Sequence, residues 1–452
     1  MNGWYRSVYS LLIVLSLQQM LPTRLPAAET VPAGQAAPAQ DQPVKKDVAV
    51  DGSVKQVPVL TLSQCIENAL KKSPSLFAAV STMNATQSRV GQARSSYYPQ
   101  ISATAGYSKY TVASDPSSTV YDQYSASATL SQTIFDFGKT WNNVTVKQRY
   151  FDASQQDLRT AMSQLVLNVK QSYYALLQAG KNRDVLKETV MQFEQHLNQA
   201  KGFYEIGVKS KFDVTKAEVD LSNARLNLIK AENSLKIARV TLNNAMGMPD
   251  APEYSIEDTL PFQKNAITYD EARQRAYANR PDLRSLEAQG AALDASISAA
   301  RKGYFPTLSG NASYTKSGDT YPPDQKSWSA GLTLTFPLFS GFLTNYQVKE
   351  AKENLNIVKG NEETLRQSIL LDVQQAYLNL QAAEESVSVA GLTVQQAEEN
   401  FAIAKGRYEA GVGSPIEETD ALVALSNART SNIAALSDYK VAEATLMKAM
   451  GE

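Results

Sequence analysis

The side chains able to do chemistry are few. In 452 residues there is one cysteine, Cys65, and one histidine, His196. A lone cysteine excludes an internal disulfide framework and any multi-cysteine zinc site. A lone histidine excludes two-histidine metal motifs and makes a histidine-centred hydrolase unattractive. No second ligand lies near His196 in sequence, so it is expected to be a surface helix residue. Cys65 sits in helical sequence and is expected to be a buried small residue rather than a nucleophile. Glu417 and Asp420 are three residues apart, which places them on one face of a helix. That face could be merely solvated, or it could offset the helix dipole. Asp213 could likewise do no more than stabilise a helix start. With no converging set of catalytic residue types, neither an enzyme nor a bound cofactor or metal is expected.

Hydrophobic residues make up 43% of the chain and charged residues 20%, with a formal net charge of −1. This composition fits neither a disordered chain nor a helical membrane bundle, and the charge argues against nucleic acid as a partner. Residues 1–28 read as a secretory signal peptide: Arg6 supplies charge, Leu11 to Leu17 the apolar core, and Ala27 and Ala28 a plausible cleavage site. The apolar run is too short for a spanning helix, and no cysteine ends it, so a lipid anchor is not expected. Residues 29–60, rich in Pro, Ala, Gln and Val, read as a flexible lead-in. After the signal, no run reaches ~18 apolar residues, so no transmembrane helix is expected.

The remainder is a repeat. The stretch from Thr61 aligns with that from Thr268, which sets Pro74 on Pro281 and Tyr97-Tyr98-Pro99 on Tyr304-Phe305-Pro306. Further on, YEIGV from Tyr204 aligns with YEAGV from Tyr408, SNAR from Ser222 with SNAR from Ser426, and Ala245-Met246-Gly247 with Ala449-Met450-Gly451. Two copies, 61–247 and 268–452, are joined by a proline-containing linker at 248–267.

Each copy opens with a helix and continues into two alternating stretches. Ile101, Ala103, Ala105 and Tyr107 alternate with Ser102, Thr104, Gly106 and Ser108; Tyr124, Ala126, Ala128 and Leu130 do the same in the next stretch. In the second copy the corresponding set is Leu308, Gly310, Ala312 and Tyr314, then Trp328, Ala330, Leu332 and Leu334. A period of two predicts strands of ~10 residues with one apolar face, long enough to cross a bilayer when tilted. Aromatics at the strand ends suit the interface girdles of a barrel. Long proline-free segments follow. In the second copy Ile369, Val373, Ala376, Leu380, Ala383, Val387 and onward to Tyr408 step by four and three. This heptad seam predicts a supercoiled helix ~100 Å long that turns at Gly207 in one copy and Gly411 in the other, then returns.

Four strands per chain cannot close a barrel, for which ~8 is the practical minimum, and open sheet edges are not tolerated in lipid. Strands from sister chains must complete the barrel, with the Ser, Thr, Gly and Asn face lining water.

The repeat, the paired strands, SQTIFDFG and TFPLFSG after them, and the turns YEIGVKSKFDV and YEAGVGSPIEE together resemble the TolC-like outer-membrane efflux protein family over 61–451. The resemblance implies a mixed α and β membrane protein: a homotrimeric twelve-stranded outer-membrane β-barrel continued by a long α-helical coiled-coil tunnel in the periplasm. It implies the channel of a tripartite efflux or type I secretion system, partnered by a periplasmic adaptor protein and an inner-membrane pump. It assigns adaptor docking to the tips Gly207, Val208, Lys209, Ser210, Gly411, Val412, Gly413 and Ser414. It assigns a periplasmic gate to Asp213, Tyr408, Glu417 and Asp420, whose carboxylates repeated by symmetry would form rings that attract cations. The basic residue that some relatives carry near this turn is Gly413 here, so no closing salt bridge is expected from that position. The alternative function is a secreted or periplasmic structural coiled-coil protein without a pore.

Overall fold

The structure, a computed structural model, describes residues 58–114 and 117–452, without the side chains of 113–118. The expected signal peptide and nearly all of the lead-in lie outside the described residues. Residues 59 and 60, assigned to the lead-in, instead form a short strand, β1 (Val59–Leu60), which pairs in parallel with β4 (Ser255–Ile256). The chain ahead of the first copy is thereby tied to the inter-repeat segment.

Thr61 and Gln64 form a capping box that starts α1 (Leu62–Lys72). Ser73 is extended and Pro74 opens α2 (Pro74–Arg94), because the residue before a proline is pushed out of helical geometry. After a short 3-10 turn come β2 (Gln100–Ser114), β3 (Ser117–Phe135), α3 (Lys139–Glu205) and α4 (Lys211–Ala245). The second copy repeats the order with α5 (Tyr269–Asn279), α6 (Pro281–Arg301), β5 (Thr307–Gly318), β6 (Gln325–Thr335), α7 (Leu343–Glu409) and α8 (Pro415–Ala449). The long helices α3 and α7 both have 67 residues, and α4 and α8 both have 35. At 1.5 Å per residue the former are about 100 Å long.

The four long strands form one antiparallel sheet in the order β2-β3-β5-β6, which leaves β2 and β6 as edges. The strands of the first hairpin have 15 and 19 residues, longer than the predicted ten. Periodicity misses the extension because the apolar/polar alternation fails beyond Ser108, where Lys109 and Tyr110 follow, while the backbone ladder continues through Tyr110↔Tyr121 to Ser114↔Ser117.

Two equivalent cores hold the short helices against the hairpins. In the first, Cys65 and Ala69 of α1 pack with Val169 and Tyr173 of α3 and with Leu242 and Met246. In the second, Ala272 and Ala276 of α5 take the same seats beside Val373, Leu446 and Met450. Cys65 therefore occupies a position the other copy fills with alanine, the small buried role expected of it. The inter-repeat segment is strapped on by phenol groups: Tyr173 donates to the carbonyl of Glu257 at 2.7 Å, and Tyr439 to that of Gln263 at 2.6 Å.

Candidate functional site

Both hairpin turns are built alike. At the end of α3, Gly207 has φ 77°; its N–H donates to the Tyr204 carbonyl at 3.0 Å, and the Val208 N–H to the Phe203 carbonyl at 2.9 Å. At the end of α7, Gly411 has φ 76°, with Gly411 donating to Tyr408 at 3.0 Å and Val412 to Arg407 at 3.1 Å. This pair of bonds is a Schellman closure, which requires a left-handed residue and so selects glycine. Val208 and Val412 are exposed, at 61% and 72%, so the tips present apolar side chains.

The returning helices start on Ser210 and Ser414. The Ser210 N–H donates to the Asp213 carboxylate at 3.0 Å, and its hydroxyl does so at the same distance. Asp213 is thus engaged in capping its own helix. Ser414 accepts from the Ile416 N–H at 3.2 Å, with Pro415 in the first turn. Gly413 is buried against the preceding helix: a Cβ there would lie 2.8 Å from the Tyr408 nitrogen, so this turn has no room for a side chain. A basic partner comes from the other side. Arg407 Nε lies 3.6 Å from Glu417 Oε2, both side chains being about half exposed. An exposed pair of this length is worth at most about 1 kcal/mol.

The four expected gate residues are not equivalent. Glu417 and Asp420 are exposed on α8, whereas Tyr408 is completely buried. Its ring lies 5.1 Å from the His196 ring and 5.7 Å from that of Phe203. Its hydroxyl has no hydrogen-bond partner. Burial, with the nearby charges of Glu418 and Asp213, pushes that hydroxyl up to about 12.

His196 corrects the sequence reading. It is not a surface residue but 4% exposed, and its Nδ1 lies 2.8 Å from Glu418 Oε2, itself buried. The pair joins α3 of the first copy to α8 of the second. Further along the same antiparallel interface, Thr189 meets Ser426 at 3.0 Å, and Ser437 donates to the Tyr174 carbonyl at 3.3 Å. Arg429 bridges Glu188 of α3 at 3.0 Å and Glu398 of α7 at 2.8 Å. Sequence reasoning missed His196, Glu418 and Arg407, because what each of them meets lies on a different helix.

At the opposite end, the sheet keeps its large apolar side chains uncovered: Ile101 is 73% exposed, Trp328 77% and Leu332 71%. No helix of the described residues is long and apolar enough to cross a membrane.

The outer membrane efflux protein family model matches residues 65–248 and, a second time, 272–452. The chain is 25% identical over 412 residues to outer membrane protein TolC of Escherichia coli K12, across 86% of this chain and 82% of that one. It is 26% identical over 434 residues to protein CyaE of Bordetella pertussis, across 93% and 88%. Among solved structures, CusC superimposes with a TM-score of 0.76 at 19% identity, covering 86% of this chain and 92% of that one. The open state of the Neisseria gonorrhoeae MtrE outer membrane channel gives 0.73 at 20% identity, covering 86% and 88%. The fold is the one these structures share: a four-stranded antiparallel sheet continued by long helical hairpins.

Proposed function

Because this chain belongs to the outer membrane efflux protein family, and is therefore an outer-membrane channel protein, we propose that three copies form a passive export duct driven by partner proteins. The observation that carries this reading is the sheet. It has four strands, two unpaired edges and an uncovered apolar face. In lipid each unpaired backbone group costs several kcal/mol, so β6 of one copy pairs with β2 of the next, and three copies make twelve strands. The Ser/Thr/Gly face then lines a wet lumen continuous with the space between the helical hairpins.

In this reading the energy comes from an inner-membrane pump, and a periplasmic adaptor seats on the tips at Gly207–Ser210 and Gly411–Ser414. Exposed valines flanked by polar groups suit such a contact. Glu417 and Asp420, three copies of each, give two acidic rings at the periplasmic mouth that concentrate cations. Asp213 and Tyr408 act behind them: Asp213 by fixing the start of α4, and Tyr408 as a buried strut between the hairpins.

The test is reconstitution of the purified chain in planar bilayers. A three-chain complex with discrete conductance supports the duct. A protein that stays monomeric and folded in plain buffer, without conductance, favours the structural coiled-coil alternative. Glu417→Ala with Asp420→Ala should weaken block by multivalent cations from the periplasmic side. Unchanged block and selectivity would remove the filter while leaving the duct.

A further inference from the structure

The apolar face of the sheet carries a regular mark near its outer end. On each strand an aromatic residue is followed, two positions further from the helices, by a charged one. The pairs are Tyr107 and Lys109, Tyr124 and Asp122, Tyr314 and Lys316, and Trp328 and Lys326. A spacing of two keeps both members on one face. Tyr107 pairs directly with Tyr124, and Tyr314 with Trp328. Tyr and Trp are the side chains that settle where hydrocarbon meets headgroups, so within each hairpin the charged pair beyond its aromatic pair lies toward the headgroups; the register offsets the two hairpins, with Lys316 opposite Ala126.

The two charged pairs are not alike. In the first hairpin Lys109 Nζ lies 3.3 Å from Asp122 Oδ1, and the Tyr107 hydroxyl donates to the same carboxylate at 2.6 Å. In the second hairpin Lys316 is directly opposite Lys326. Cross-strand partners have Cβ atoms about 5 Å apart, a spacing at which like charges repel. Among the described residues neither lysine has an ion pair, whereas Lys109 does. The nearest acid in sequence, Asp324, lies outside the strand and makes no ion pair with Lys326. A neighbouring copy cannot correct this through edge pairing, because β2, the strand that β6 would meet, contains no Asp or Glu. The repulsion therefore calls for an anion that is not part of the protein, at the depth where lipid phosphates lie.

We infer that the Lys316–Lys326 pair holds a phosphate-bearing headgroup of an outer-leaflet lipid, one site per chain. The inference rests on the reading of the apolar face as lipid-facing. Two ammonium groups on adjacent strands converge on one phosphate, and the Tyr314 and Trp328 rings below them pack against the first carbons of the acyl chains. The anion cancels the cross-strand repulsion, so occupancy also stiffens the second hairpin, whose strands are shorter than those of the first.

The experiment uses the full-length protein in nanodiscs of phosphatidylcholine, with lipid A, a disaccharide lipid bearing two phosphates, added as the probe and retained lipid counted by native mass spectrometry. A basic residue at a membrane surface strengthens binding of anionic lipid by about fivefold, so Lys316→Gln with Lys326→Gln should weaken lipid A retention by about thirtyfold. Lys109→Gln, which leaves the opposed pair intact, should weaken it much less. Equal retention by wild type and the Lys316→Gln/Lys326→Gln variant overturns the inference. Displacement of lipid A by millimolar inorganic phosphate overturns the lipid as the occupant in favour of the free ion. Failure of the wild type to enter any nanodisc sinks the channel reading instead, whereas entry without lipid A preference sinks only the headgroup site.

Discussion

His196 and Glu418 meet at 2.8 Å in a site from which both are almost wholly excluded from solvent, and together with the Tyr408 ring beside His196 they fasten one repeat to the other near the tips. Removing one member of a buried hydrogen-bonded pair strands the other, at a cost of at least about 1–3 kcal/mol. His196→Ala should therefore lower the thermal unfolding midpoint of the purified protein clearly. Glu418→Gln, which keeps an acceptor for the imidazole, should lower it by much less. The double variant His196→Ala/Glu418→Ala should be no worse than the worse single one. Additive losses in that cycle would show that the two side chains do not act together.

Alkaline pH should loosen the same region. The Tyr408 phenol, pushed up to about 12 by burial and by the charges of Glu418 and Asp213, titrates near 10 once unfolded. Between those values the unfolded chain releases a proton that the folded chain keeps. The stabilising contribution is therefore complete below pH 10 and is lost as pH rises toward 12. Tyr173 and Tyr254, also pushed up to about 12 mainly by burial, add in the same direction. Tyr408→Phe should remove one late-titrating phenol from the ultraviolet titration and raise the pH of alkaline unfolding. At neutral pH it should not destabilise the protein, because the hydroxyl has no hydrogen-bond partner to lose and its unpaired burial is itself a cost.

Cys65 should be silent to thiol reagents in the folded protein. It is 0% exposed, and burial pushes its thiol up to about 11, so little thiolate forms at neutral pH and none is accessible. Labelling by iodoacetamide should follow the unfolding curve measured by circular dichroism. Cys65→Ala, which copies the seat Ala272 fills in the second core, should cost only about 1 kcal/mol. Rapid labelling without unfolding would contradict the packing.

The tip turns separate coupling from assembly. Gly411→Val forces a β-branched residue to φ 76°, at about 1–3 kcal/mol of local strain. Gly413→Ala brings a Cβ within 2.8 Å of backbone at Tyr408. Both changes lie far from the sheet. Three-chain assembly and conductance should persist, while pump-dependent export in cells falls. Normal export by Gly411→Val would remove this tip from adaptor docking.

Much of this was legible in the residues themselves. Repetition of Pro74 at Pro281 and of Gly207 at Gly411 laid out two equal units. Alternation around Ile101 and Leu308 marked strands, and the four-and-three spacing from Ile369 to Tyr408 marked a helix of 67 residues. Periodicity succeeds there because one face is apolar along those stretches, so local sequence carries the signal. It failed at the outer half of the first hairpin, where the ladder outlasts the alternation, and at His196, whose neighbours in sequence say nothing of Glu418, 222 positions away.

The sequence by itself determined the two repeats, the long helices, the places of the four long strands, the two glycine turns and the shortage of strands that demands sister chains. Only the tertiary structure decided how the two repeats are joined. The α3–α8 interface, with His196 on Glu418 and Thr189 on Ser426, and the opposition of Lys316 to Lys326 depend on helix phase and strand register. Those are set by packing between segments distant in the chain, and a pattern read along one segment carries no record of the side chain it will face.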